Sequence, residues 1–172
     1  MKVLVAGSSN VDLVARVKKF PTPGETIGGA RFMRNLGGKG ANQAVAAARM
    51  GGDVTFVTSL GNDAYAGSIR EAFAREGIET GHITEDQANP TGTAIILVTD
   101  SGENCIVVAP GANSSLTPDT IPCIDTLIDE ADIIVLQAEI PYGTNKFIAQ
   151  KAFSKGKKVL FNPAPACHID PE

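Results

Sequence analysis

Leu36-Gly37-Gly38-Lys39-Gly40-Ala41-Asn42-Gln43-Ala44 is the segment whose reading decides the fold of this chain. Three glycines within four positions surround a lysine. They run into Ala41 to Met50, where Ala44, Ala47 and Ala48 with Val45 suit a helix packed closely on a sheet. Glycine permits positive φ and lets other groups approach the main chain closely. The first N–H groups of a helix have no intrahelical partner, and the macrodipole leaves that end partly positive. With Lys39 and Asn42 added, the segment reads in two ways. It is a cluster of donors aimed at something polar or anionic, or a tight glycine loop at a helix entrance.

On its N-terminal side, Lys2 to Ala6 is a short apolar run ending in Gly7-Ser8-Ser9-Asn10, the pattern of a buried parallel strand entering a loop. Asp12 to Val17 alternates imperfectly and predicts a strand exposed on one side. Phe20-Pro21-Thr22-Pro23-Gly24-Glu25 is a turn, and a second extended piece from Thr26 to Arg34 leads into the glycines. On the C-terminal side, Gly51-Gly52 stops the first helix. A strand at 54–60, a turn at Gly61-Asn62-Asp63 and a helix from Ala64 to Glu76 follow. After a polar connection at 85–89, residues 93–99 and 105–108 flank a five-residue turn and predict a hairpin. Gly111-Ala112-Asn113 ends that pair. Thr117-Pro118 opens a helical region that Pro122 shortens or restarts. A buried strand at 133–137, a helix from Thr144 to Ser154 and a strand at 158–161 complete the series. Alternating strands and helices predict an α/β fold with a mostly parallel central sheet flanked by helices. The stretches near 12–34 and 93–108 break the alternation and predict a separate small sheet.

The chain has 172 residues, 43% hydrophobic and 20% charged, which is the composition of a globular protein. Its net charge is −4 and its lysines and arginines are scattered, so no basic face for nucleic acid is visible. No apolar run is long enough to span a bilayer, and the N-terminal run lacks a cleavage pattern, so a cytoplasmic protein is expected. Cys105, Cys123 and Cys167 are widely spaced, without Cys-x-x-Cys, and read as buried free thiols. His82 and His168 read as solvated loop histidines. The glycine cluster is not a Walker A loop, since no Ser or Thr follows Lys39, and Gly7-Ser8-Ser9-Asn10 lacks the later glycines of a dinucleotide fingerprint. Metal-ligand spacings are absent.

In open α/β sheets, ligands bind at the carboxyl ends of the strands. Asn10 with Asp12, Glu139 and Asn162 fall there, and Lys39 with Asn42 can join them. Taken singly, Asp12 reads as a turn or cap residue and Glu139 as a solvated loop charge. Together they suit a polyhydroxylated ligand, carboxylates accepting from hydroxyls while Lys and Asn donate.

Five segments, Gly7-Ser8-x-Asn10-x-Asp12, Phe20-Pro21-x-Pro23-Gly24-Glu25-Thr26, Gly37-Gly38-Lys39-Gly40-Ala41-Asn42-Gln43-Ala44, Gly61-x-Asp63-x-x-x-Gly67 and Asn162-Pro163-Ala164-Pro165-Ala166, resemble the ribokinases of the ribokinase-like (PfkB) carbohydrate kinase family. The resemblance runs in order along residues 1–172 and covers about the first half of such a kinase. It implies one α/β domain with a β-strand lid from about 12–34 and 93–108, the lid also forming a homodimer contact. It implies transfer of the ATP γ-phosphoryl to the 5-hydroxyl of D-ribose, with Mg2+ and a monovalent cation (K+) in the whole enzyme. By position it implies that Asn10, Asp12, Gly38, Lys39, Asn42 and Glu139 hold the sugar, and that Ala94 and Ile96 pack on its apolar face. The family's catalytic aspartate lies in a Gly-Ala-Gly-Asp segment that this sequence does not contain. The base and the nucleotide site are therefore expected beyond Glu172, and the chain alone is expected to be inactive. A fructokinase or adenosine kinase, or a non-catalytic fragment that binds sugar or pairs through its lid, are the alternatives. A half-sheet is also expected to expose an apolar edge.

Overall fold

The computed structural model describes residues 1–169; the last three positions, including the chain end expected to precede a further helix, lie outside it. Nine strands form two sheets. The larger holds β1 (Lys2–Ala6), β4 (Asp53–Gly61), β5 (Ile83–Asp86), β8 (Ile133–Gln137) and β9 (Lys158–Asn162), in the order β5-β4-β1-β8-β9. All its pairings are parallel. The smaller holds β2 (Asn10–Val17), β3 (Arg31–Gly37), β6 (Gly92–Thr99) and β7 (Asn104–Ala109), in the order β3-β2-β6-β7. There two antiparallel hairpins are joined by a parallel β2–β6 pairing. The helices are α1 (Lys39–Arg49), α2 (Ala64–Arg75), α3 (Ile124–Glu130) and α4 (Tyr142–Ser154).

The larger sheet is buried on both faces because successive residues of a strand point to opposite sides. Val3, Val5, Val54, Phe56 and Val135 pack with α1 and α2. Leu4, Ala6, Val57, Ile134 and Leu136 pack with α3 and α4. The Phe56 and Phe73 rings meet edge to face, centroids 5.2 Å apart. Asp63 caps α2, accepting from the Tyr65 N–H at 2.9 Å, and its carboxylate also accepts from the Thr91 N–H at 2.7 Å. One side chain thus starts a helix and pins the chain entering β6. Pro122 does restart the helical region: a 3-10 turn at Pro118–Thr120 precedes α3.

Several expectations need correction. A strand, β5, was not expected between α2 and the polar connection, which overlaps its last two residues; its Thr58↔Ile83 to Gly61↔Asp86 register extends the sheet edge, and only Ile83 is buried, so no apolar run announces it. The second extended piece starts at Arg31, after Gly28-Gly29, and runs on to Gly37. None of the three cysteines is fully buried. Cys105 is exposed because β7 is an edge strand, Cys167 follows β9 in the open, and Cys123 is half-buried. His82 is not a free loop histidine either: its Nδ1 lies 3.3 Å from Cys123 Sγ, on a half-buried stretch. The expected apolar edge is present. Among the described residues β9 pairs only with β8, and Val159 and Leu160 are 37% and 53% exposed. Among the described residues, no helix is long and apolar enough to cross a membrane.

The helix α1 sits unusually close to the loop after β1. A Cβ on Gly40 would come within 2.7 Å of Ser8 O and 2.6 Å of Gly7 C. Gly67 of α2, in contrast, faces open space. Gly→Ala in a helix gains up to about 1 kcal/mol of propensity, while overpacking costs about 1–3 kcal/mol. Gly67→Ala should therefore raise the urea midpoint and Gly40→Ala should lower it; equal shifts in both would refute the close docking of α1.

Candidate functional site

Two connections build the site. Residues 7–9 leave the carboxyl end of β1 and turn into β2, and Gly38 carries β3 into α1. Gly38 has φ +91°, a conformation that excludes a side chain, and a Cβ there would also press on Ser8 O and Asn10 N at 2.8 and 2.9 Å. The backbones interlock: the Ala41 N–H donates to Ser8 O at 2.8 Å and the Gly40 N–H to Ser8 Oγ at 3.2 Å.

Gly38 offers α1 no side-chain cap, and Glu139, from the loop after β8, takes that role. Its Oε2 accepts from the Lys39 N–H at 2.8 Å and from Ser8 Oγ at 2.6 Å, and its Oε1 accepts from Lys39 Nζ at 2.8 Å. Glu139 is thus a largely buried, fully engaged carboxylate, not the solvated loop charge that its position suggests in isolation. Burial raises its pKa, but hydrogen bonds from Lys39, Ser8 and the Lys39 N–H outweigh this and hold it below the usual 4.5.

Asp12 lies on β2 opposite Asn35 and Ala94, with its carboxylate against Gly37, where any Cβ would collide with it. Among the described residues its carboxylate accepts no hydrogen bond. Burial and then the charge of Glu139 push its pKa above 3.8, while Lys39 pulls it down. Asp12, Lys39 and Glu139 therefore form one electrostatic group. Gly38 joins them as the backbone floor.

Asn10 is 3% exposed and sits beside this group at the start of β2. It also lines, with Asn113 and Glu139, a cleft of about 370 Å3 walled by Val108, Ile140 and Pro165. Ala94 is buried on the face of the smaller sheet that carries Asp12, and Ile96, half-buried, is two residues along on the same face. Asn42 is not drawn into the cluster: it is exposed on the first turn of α1 and lines the groove between α1 and α2. Asn162 ends β9, two strands from β1, opposite Gln137.

Two residues that sequence reasoning passed over belong here. Ser8 links α1 to Glu139. Asn113 is buried in the 3-10 turn Gly111–Ser115 and bonds to Ser9 and Asn10. A serine and an asparagine beside glycines are ordinary loop residues, so their signal is weak until the loops are brought together.

The chain matches the family described as pfkB family carbohydrate kinase over residues 1–168. It is 44% identical over 162 residues to a ribokinase of Haemophilus influenzae, covering 94% of this chain and 53% of that protein. The crystal structure of a Thermotoga maritima ribokinase superposes with a TM-score of 0.88 at 39% identity, covering 98% of this chain and 55% of that one. An Arabidopsis thaliana ribokinase, solved in complex with ribose and ATP, superposes at 0.83 and 32% identity, covering 93% of this chain and 52% of that one. The chain thus spans about half the length of these relatives.

The two carboxylates respond to pH in opposite senses. Glu139, lowered on folding, contributes stability that is present above pH 4.5 and lost as pH falls through its folded value. Asp12, raised on folding, favours the folded state below pH 3.8 and loses that contribution as pH rises through its folded value. Glu139→Gln should cost about 1–3 kcal/mol in denaturant unfolding, because it removes a buried charged acceptor from three donors. In the same variant the Asp12 carboxyl, followed by carbon-detected NMR, should titrate at lower pH than in the parent. An unchanged Asp12 titration would show that the two groups are not coupled.

Proposed function

The chain belongs to the pfkB carbohydrate kinase family, and we propose that it carries the sugar-binding half of an ATP-dependent kinase that phosphorylates the 5-hydroxyl of D-ribose. The observation that carries this is Asp12: a partly desolvated carboxylate with no protein donor among the described residues, held beside an engaged Lys39–Glu139 pair. Such a carboxylate is suited to accept from two neighbouring hydroxyls. Asn10, Gly38, Lys39 and Glu139 complete the polar ring. Ala94 and Ile96 supply an apolar wall, and Asn42, in the groove between α1 and α2, stands outside this ring.

Phosphoryl transfer depends on positioning and charge stabilisation, with a carboxylate taking the hydroxyl proton. Nothing in residues 1–172 supplies the Gly-Ala-Gly-Asp base of the family, so the role we assign to this chain is to orient the sugar. ATP, Mg2+ and K+ accompany the whole enzyme. Among the described residues no three His, Cys, Asp or Glu side chains gather as metal ligands. A cytoplasmic location belongs to the same proposal.

We assign the smaller sheet as the lid over the sugar and as the contact with a second copy. By register, Phe32, Leu36, Ile95 and Val107 share the face opposite Asn10 and Asp12, and they are 64%, 41%, 54% and 65% exposed. Exposed apolar side chains gathered on one sheet face mark a candidate contact surface. A second copy seated there leaves the Asp12 face clear for ligand.

Three measurements follow. In calorimetry, Asp12→Asn should weaken D-ribose binding on the order of ten- to hundred-fold with the circular dichroism unchanged, and parental affinity would overturn the crevice assignment. D-fructose and adenosine in the same titrations distinguish the alternative substrates. In a coupled assay, the purified chain with ATP and D-ribose should show no turnover above background; turnover would place the base within residues 1–172. In sedimentation, the 17.9 kDa chain should run as a dimer and Phe32→Glu as a monomer. A monomeric parent would refute the lid contact.

A further inference from the structure

Asn113 is 2% exposed and touches Ser9 and Asn10, where the crossing from β1 enters β2. Its Oδ1 accepts from the Ser9 N–H at 2.8 Å. Its Nδ2 donates to Ser9 O at 3.2 Å and to Asn10 Oδ1 at 2.7 Å. A backbone N–H can only donate and a carbonyl can only accept. The two contacts with Ser9 therefore fix which end of the Asn113 amide is oxygen and which is nitrogen. Asn10 is fixed in turn, because the atom facing Asn113 Nδ2 must be Oδ1.

The Asn10 Nδ2 then has no acceptor among the described residues, and Asn10 lines a cleft together with Asn113 and Glu139. Both amides fit only because position 92 is glycine: a Cβ there would collide with Asn10 Oδ1 and Asn113 Nδ2. A carboxamide free to turn presents a donor or an acceptor equally well. Held in this way, Asn10 presents only a donor.

We propose that Asn113 is a positioning residue that fixes the polarity of the Asn10 side chain, so that Asn10 recognises an oxygen acceptor of the ligand through its Nδ2. The proposal rests on the sugar-binding assignment of the same site and sharpens it, since the group at Asn10 is then a ring or hydroxyl oxygen that accepts. Two substitutions reverse the polarity without removing a side chain. In Asn113→Asp the Ser9 N–H keeps its acceptor, but Asn10 must turn and donate to the new carboxylate, leaving Oδ1 in the cleft. In Asn10→Asp the bond from Asn113 Nδ2 survives, while the atom facing the cleft becomes an acceptor.

The experiment is hydrogen exchange of the side-chain amides by NMR in 15N-labelled protein, with D-ribose titrations of the parent and both variants. In the parent, the Asn113 Nδ2 protons should exchange slowly and the Asn10 Nδ2 protons fast, the latter slowing when D-ribose is added. In Asn113→Asp, the Asn10 protons should be slow without ligand and indifferent to it. Both variants should bind D-ribose ten- to hundred-fold more weakly. Slow Asn10 protons in the ligand-free parent, or parental affinity in Asn10→Asp, would overturn the proposal. A parent that binds no D-ribose would sink the sugar assignment, and the exchange pattern of the two parental amides would still decide the polarity.

Discussion

The docking of the α1 N-terminus onto the loop after β1, closed by Glu139, is the contact on which the rest depends. The helix begins at a glycine with positive φ and no capping side chain, so its first N–H needs an acceptor from elsewhere. Glu139 provides it from the far side of β1 and at the same time holds Ser8 and the Lys39 ammonium. Three segments distant in sequence, the ends of β1 and β8 and the start of α1, are tied by one carboxylate. The charge is suited to the place, because the helix end is partly positive and the group is shielded from water.

That contact explains the composition of the neighbourhood. A helix lying this close to backbone can carry only small residues on its inner face, and Gly40, Ala41 and Ala44 are the buried ones. Gly37 makes room for the Asp12 carboxylate, and Gly92 for the two asparagine amides. Each of these glycines is spent on proximity to a polar group. The larger sheet needs no such economy, since its alternating aliphatic side chains fill two separate cores.

Legibility in the sequence followed the range of the interactions. The strands Lys2–Ala6 and Ile133–Gln137 and the helix α2 are set by local apolar pattern and glycine stops, and they were readable to within a residue or so. The separate small sheet was readable as a break in the alternation, but not its parallel β2–β6 pairing, which joins strands far apart in the chain. Strand β5 escaped because one buried residue in four makes no pattern. The cysteines were misjudged because exposure depends on which strand lies at an edge, which no local window contains. At the site, Asp12 and Glu139 were visible as polar residues at strand ends, and Lys39 within the glycine cluster. Ser8 and Asn113 were not, because their importance lies in partners some hundred or more positions away.

The balance of charge separates the ligands that this crevice can take. Lys39 is the one cation in the cluster with Asp12 and Glu139, and its ammonium is already bonded to Glu139. An anionic group would approach that lysine past two carboxylates, one of which already feels the other as a repulsion. At an effective dielectric constant of about 20, a unit charge about 4 Å from another is worth about 4 kcal/mol, so one engaged lysine does not offset two acids. A neutral polyol meets no such barrier. Its hydroxyls can donate to Asp12 while its oxygens accept from Asn10 and Lys39, and no net charge need be desolvated with it. The glycine-rich entrance of α1 resembles a phosphate cradle in sequence. With Glu139 seated on its first N–H, that entrance already holds a carboxylate, and it suits a neutral polyol better than a phosphate.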